Sequence, residues 1–168
     1  MSKKKQKEVL IIIPAYNEAK TIGALLSQLE QPEIAKIADV LVLNDASKDN
    51  TEEVVRARNH TVITHIFNLG YGSGLQLGYK YAERNGYQYI IQMDADGQHD
   101  ACNVIRLYEC LRSQNTNGKS PDIVLGSRFL EGSVSFPVSA LKKFAFVLFR
   151  RLIQIGTGKK IKSNQHRM

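Results

Sequence analysis

A chain of 168 residues with 43% hydrophobic and 23% charged side chains, seven Tyr, six Phe and only four Pro can bury a core as one domain and is not a disordered tail. Its net charge of +7 invites a nucleic-acid reading, but all 16 acidic residues lie between Glu8 and Glu131, four lysines precede Glu8, and eight basic residues with no acid follow Glu131. An acidic middle with basic ends argues against a nucleic-acid surface and for a cation site in the middle and an anionic surface at the tail.

Residues 1–8 read as a basic disordered tail. From there, short β-branched runs alternate with segments of helical period, the pattern of a mostly parallel sheet covered on both faces. The predicted strands are Val9 to Pro14, Val40 to Asn44, Val62 to Phe67, Tyr89 to Met93 and Ile123 to Gly126. The predicted helices are Thr21 to Leu29, Thr51 to Arg58, Gly74 to Asn85 and Asn103 to Ser113, with Asn50, Ser73 and Asp100 as N-terminal capping candidates and Gly86 as a C-terminal one. Cys102 and Cys110 fall about two turns apart on the last of these helices. That separation does not suit a disulfide, so both are expected reduced and mostly packed. A fifth helical segment, 138–155, carries the apolar run Phe144 to Phe149 between Lys142-Lys143 and Arg150-Arg151. It suits either an anionic membrane surface or an ordinary core or subunit contact. No linker divides the chain, which reads as a single domain over 1–168 with its core at 9–131.

The apolar run Val9 to Ile13 is too short for a secretory signal before Pro14 interrupts it, and no stretch reaches the ~18 apolar residues needed to cross a bilayer. The expected location is cytoplasmic, peripheral on the inner face of a membrane.

In open parallel sheets, ligands settle at the carboxyl ends of the strands. Asp94 and Asp96 leave a strand end one residue apart, where two carboxylates can converge on one hard divalent cation, Mg²⁺ or Mn²⁺, with Gln98 adding an amide oxygen. Phosphate oxygens and water would complete the shell, so the site would bind a diphosphate; a turn with Asp side chains capping backbone N–H groups is the plain alternative. Asp45, after the second strand, can accept from a ribose or the N–H groups of a base, while Ser47 and Asp49 suit capping of the helix near Thr51. After the first strand, Tyr16 could cover a planar base and Glu18 take a sugar hydroxyl. Arg128 suits either a phosphate or the nearby Glu131. Gly70, Gly72 and Gly74 are spaced G-x-G-x-G rather than G-x-G-x-x-G. That leaves the third glycine out of place for close helix packing and speaks against a hydride-transfer fold.

Together the segments I-I-I-P-A-Y-N-E (11–18), L-N-D-A-S-K-D-N-T (43–51), N-L-G-Y-G-S-G-L-Q-L-G-Y (68–79), M-D-A-D-G-Q-H (93–99) and I-V-L-G-S-R-F (123–129) resemble the family 2 glycosyltransferases of GT-A fold. The resemblance is to the branch of dolichyl-phosphate mannose synthase and other polyprenyl-phosphate glycosyltransferases. It implies an α/β, Rossmann-like nucleotide-sugar-binding domain in which Pro14, Tyr16, Glu18, Leu43 and Asp45 contact the nucleoside. Asp94, Ala95 and Asp96 would hold the diphosphate and metal, Gln98 the metal and Arg128 the phosphates, with Asp94 and Asp96 carrying the catalysis. The family usually has two acids and a Gly where this chain has Asn44-Asp45-Ala46. Family members also usually continue, after a segment like Thr157 to Ile161, with an acidic stretch and acceptor-side chain that are not seen here. Two functions follow as expectations: transfer of a sugar from a nucleoside diphosphate to a polyprenyl phosphate or a glycan, or nucleotide-sugar binding without transfer. The oligomeric state stays open.

Overall fold

The structure, a computed structural model, describes residues 7–96, 101–114, 118–126, 151, 154 and 156. The chain divides into two compact units, 1–124 and 125–168. In the second, Leu125 and Gly126 lie outside regular structure and Arg151, Gln154 and Gly156 are helical. The rest of the segment 138–155 lies outside the described residues.

The first unit is built on four strands, β1 (Val9–Ala15), β2 (Ala38–Asn44), β3 (Thr61–Thr64) and β4 (Tyr89–Gln92), all parallel and in the order β3-β2-β1-β4. Helices α1 (Ile22–Leu29), α2 (Pro32–Ala35), α3 (Thr51–Ala57), α4 (Tyr71–Arg84) and α5 (Cys102–Arg112) join and follow them.

The run V-L-I-I-I becomes the central strand because nothing in it tolerates water. Val9 through Ile13 are each at most 1% exposed, and successive side chains point to opposite faces. Val9, Ile11, Ile13 and Ala15 join α1, α3 and α5 residues such as Leu26, Val55 and Val104 in the larger core. Leu10 and Ile12 meet Leu41, Leu43 and the α4 residues Leu75 and Ala82 in the smaller one.

Helix α4 lies close to the sheet. A Cβ at Gly78 would stand 2.9 Å from Leu43 Cδ1 and 3.2 Å from Ile12 Cδ1, and one at Gly74 would stand 3.8 Å from Leu43 Cβ. The third glycine of the 70–74 run therefore does lie against the sheet, contrary to the reading from its spacing. The i, i+4 pair Gly74 and Gly78 shares a helix face, and that face meets Leu43.

Several predicted boundaries move. β3 ends at Thr64, and Ile66 and Phe67 stand 87% and 71% exposed in the loop beyond it. Ile123 to Gly126 form no strand, and Ile123 and Leu125 are 77% and 83% exposed, because a β-branched run needs a partner and none pairs with it among the described residues. α2 begins with Pro32 in its first turn, a helix-start signal the reading passed over.

Asn50 makes no side-chain cap bond, and the Asp49 carboxylate takes the Thr51 N–H in its place at 3.1 Å. Ser73 sits inside α4, which starts at Tyr71, and bonds the Leu69 carbonyl. Asp100 lies outside the described residues. Gly86, at φ +71°, follows α4 as its C-terminal stop. Cys110 is free but exposed rather than packed, because it falls on the outer face of α5.

Gly78→Val should destabilise the fold by ~2 kcal/mol, since Leu43 and Ile12 are buried and have little room to retreat. Urea unfolding of the two proteins checks this.

Candidate functional site

β1 and β2 stay paired to their ends, Ala15 opposite Asn44, whereas β1 and β4 part after Ile12 and Gln92. One further bond, Met93 N–H to Ile12 O at 3.1 Å, closes that side. Pro14 has no N–H with which to continue a ladder. The chain runs from β1 to β2 and β3 on one side and returns through α4 to β4 on the other. The parting of β1 and β4 is thus the point where the strand order reverses, the place such sheets offer to ligands.

The loops at this edge are stitched together by side chains. Asn17, at φ +57°, donates its N–H to Ser47 Oγ (2.9 Å) and accepts the Lys48 N–H on Oδ1 (2.8 Å). Glu18 N–H goes to Thr51 Oγ1 (2.9 Å) and Ala19 N–H to Asp49 Oδ2 (3.0 Å). Asn44, which is buried, accepts the Ser47 N–H and hydroxyl on Oδ1 and donates from Nδ2 to Thr64 Oγ1 at 3.2 Å. A carboxylate has no donor for Thr64. The departure from a second acid at position 44 is therefore answered by a bond only the amide makes, and it spares Asp45 a like-charged neighbour. Ala46 sits at φ +57°, a left-handed conformation that favours glycine.

Asp45 is 8% exposed. Its backbone N–H bonds Ala15 O at 2.9 Å, and its carboxylate accepts from three donors: His65 Nδ1 (2.9 Å), Leu69 N–H (2.8 Å) and Gly70 N–H (2.8 Å). Burial pushes its carboxyl up, but the bonds from Leu69, His65 and Gly70 outweigh that and hold it below the usual range. The negative charge also faces the start of α4, where a helix favours an anion.

The next residue along, Tyr71, reaches the other carboxylate. Its hydroxyl donates to Asp94 Oδ1 at 2.9 Å and accepts from Gln92 Nε2 at 2.6 Å, while Tyr79 donates to Gln92 Oε1 at 3.0 Å. Burial and the Asp94 carboxylate push the Tyr71 phenol up. Adjacent residues at the start of α4 thus contact Asp45 on one side and Asp94 on the other.

The structure therefore gathers most of the predicted residues at one edge. Pro14 and Glu18 are half-buried there, Tyr16 is 45% exposed, Asp94 is half-buried and Asp96 is exposed. Leu43 and Ala95 are buried. Asp49 binds both the β1–α1 loop and its own helix start, whereas Ser47 binds that loop and Asn44 rather than the helix start. Gln98 and Arg128 lie outside the described residues. Among the described residues, no group of three or more His, Cys, Asp or Glu gathers as a metal cluster. A cleft of about 410 Å³ lined by Tyr79, Tyr87, Tyr89 and Asp122 lies by the amino end of β4 and shares Tyr79 with the network above.

Two contributors were missed. His65 is masked in the sequence by the apolar Ile66 and Phe67, which make it read as a strand residue rather than the first residue past the strand end. Tyr71 lies inside the glycine run, whose spacing signals backbone geometry and not a role for the side chain between the glycines.

The model of glycosyl transferase family 2 matches residues 10–164. The chain belongs to this family. It is 34% identical over 140 residues to the undecaprenyl-phosphate mannosyltransferase of Micrococcus luteus, covering 78% of this chain and 53% of that protein. It is 33% identical over 169 residues to a dolichyl-phosphate β-glucosyltransferase of Trichomonas vaginalis, covering 92% of this chain and 48% of that protein. The family 2 chain thus spans about half the length of these relatives. Glucosyl-3-phosphoglycerate synthase of Mycobacterium tuberculosis, solved with Mn²⁺, UDP and phosphoglyceric acid, superposes with a TM-score of 0.52 at 21% identity, covering 62% of this chain and 39% of that one. The fold is that of the GT-A glycosyltransferases, α/β with a parallel sheet flanked by helices.

Two predictions follow from the site's own bonding. Ala46→Gly should raise stability by ~1 kcal/mol in urea unfolding, because glycine adopts the left-handed conformation without the Cβ clash. The depressed carboxyl of Asp45 contributes stability that is complete above the unfolded value near pH 4 and is lost as pH falls through the lower folded value. The urea midpoint should therefore drop between pH 5 and pH 3. Asp45→Asn should start ~2 kcal/mol lower at pH 7 and show a shallower drop.

Proposed function

We propose that this family 2 chain is the donor-binding part of a glycosyltransferase that moves a hexosyl unit from a nucleoside diphosphate to a polyprenyl phosphate. The observation that carries the reading is the placement of Asp94 and Asp96 directly past β4, where the strand order reverses, with Asp45 two strands away across β1 at the same edge.

The donor set suits Mg²⁺ or Mn²⁺. Two carboxylates supply hard oxygen ligands at an open edge and leave room for the diphosphate and water to complete the shell. Asp94 and Asp96 would hold the ion, with Gln98 adding an amide oxygen. Bound there, it supplies positive charge to the leaving diphosphate. Tyr71 keeps the Asp94 carboxylate in place by its hydroxyl, and Arg128 would add a guanidinium for the phosphates. Tyr16, Glu18 and Asp45, with Pro14 and Leu43, make the nucleoside side.

In the transfer, an acceptor oxygen forms a bond to the anomeric carbon as the bond from that carbon to the diphosphate oxygen breaks. A phosphate acceptor is already ionised near neutral pH and needs no strong general base. The matching relatives named for polyprenyl-phosphate acceptors, at 34% and 33% identity, support this acceptor over a free glycan. Such an acceptor is held in a membrane, which suits the basic apolar segment 138–155 to an anionic surface on the cytoplasmic side. Among the described residues no helix is long and apolar enough to cross a membrane.

Calorimetric titration with UDP and GDP, each with and without Mn²⁺, tests the donor reading. Binding should require the cation, and Asp96→Ala should weaken it by at least about tenfold. Cation-independent binding, or an Asp96→Ala protein that binds as well as the parent, would count against the assignment.

A further inference from the structure

At the donor edge, Asp45 is paired with a sequestered imidazole, His65, to which the proposed reaction gives no task. The His65 side chain is 12% exposed and that of Asp45 11%. His65 directly follows β3, and its backbone N–H donates to Asn44 O at 2.9 Å, one step past the last paired residues of β2 and β3, Asn44 and Thr64. The imidazole is thus carried by the sheet rather than by the exposed loop beyond it.

The bonding of Asp45 leaves a definite remainder. An ionised carboxylate only accepts, so the 2.9 Å contact places the proton on His65 Nδ1. Among the described residues, Oδ1 then has two donors, His65 Nδ1 and Leu69 N–H, whereas Oδ2 has Gly70 N–H alone. With about two lone pairs on each oxygen, Oδ2 keeps one in hand. Tyr16, 45% exposed, leaves the sheet one residue after Ala15, whose carbonyl takes the Asp45 N–H. An aromatic side chain and an acceptor therefore stem from adjacent strand ends.

We infer that His65 is a positioning residue for donor recognition: it locks the Asp45 carboxylate so that the remaining Oδ2 lone pair meets a ring N–H of the donor's base. This rests on the donor-binding reading above and deepens it by naming the base chemistry. An acceptor-only group suits a base that presents a ring N–H beside a carbonyl, as uracil and guanine do. Cytosine and adenine present an unprotonated ring nitrogen at the corresponding place, and two lone pairs then face each other. Rejection by a polar group left unpaired is stronger than rejection by shape alone. Without His65 the carboxylate keeps its two backbone donors but loses the bond that fixes its rotation on the β3 side.

The test is calorimetric titration with UDP, GDP, CDP, ADP and inorganic pyrophosphate, each with Mn²⁺, on the parent chain, His65→Ala and His65→Asn, with thermal melts of all three. Asn offers an N–H close to the place of Nδ1, and Ala offers none. The parent should prefer UDP or GDP over CDP and ADP. His65→Ala should weaken the preferred nucleotide about tenfold, flatten that preference and leave pyrophosphate affinity unchanged, and His65→Asn should restore most of the loss. Unchanged nucleotide affinity in His65→Ala overturns the inference alone. Equal loss of nucleotide and pyrophosphate affinity, or a loss that follows the melting temperature in both variants, makes His65 a purely structural residue and also overturns it. A parent chain that binds none of the diphosphates overturns the donor reading itself, and the inference with it.

Discussion

Everything at the ligand edge depends on a strand that cannot move. β1 is hydrogen-bonded on both sides, and Val9 through Ile13 are shut off from water on both faces. Its peptide groups would be left without partners by any shift, and its side chains would land on the wrong face after a slip of one residue. The positions at which Tyr16 and Asn17 leave the sheet are therefore fixed by the core. The ends of β2 and β4 are set by their pairing with β1. A parallel sheet sends all its carboxyl ends to the same edge, so the strand ends that carry Asp45 and Asp94 share it.

On this frame Asp45 has two aspects. Its three donors make it a structural anion that ties β2, β3 and α4 together. The same bonds hold it charged and oriented at the strand-end edge proposed for the nucleoside. The two aspects support one another, because a carboxylate that is largely satisfied by the fold has little freedom left in what it can accept from outside. Asp94 is arranged differently. It accepts from the hydroxyl of Tyr71, itself held by Gln92, a contact that ties it to α4.

Much of this was legible in the sequence. Alternation of β-branched runs with helical periods gave the parallel sheet, since two-sided burial requires continuous apolar strands. The strand-end rule then located Tyr16, Glu18, Asp45, Asp94 and Asp96. What escaped was the chemistry between elements. Asn44 looked like a missing acid until its amide was found bridging Ser47 and Thr64, a bond whose partners lie on different strands. His65 was hidden by a boundary error of three residues, because Ile66 and Phe67 are apolar enough to extend a strand on paper yet stand exposed. Ile123 to Gly126 failed as a strand for a related reason: local preference for extended backbone does not supply the neighbour that a ladder needs.

The stitching of the β1–α1 loop has a thermodynamic consequence for any ligand arriving at the nucleoside side. The N–H groups of Asn17, Glu18 and Ala19 are all committed to side chains of the β2–α3 loop, so this wall is ordered by folding rather than by binding. A nucleotide meeting a wall of this kind forfeits little of its contact energy to freezing out loop motion. Association with that part of the edge is then governed by encounter and desolvation rather than by rearrangement.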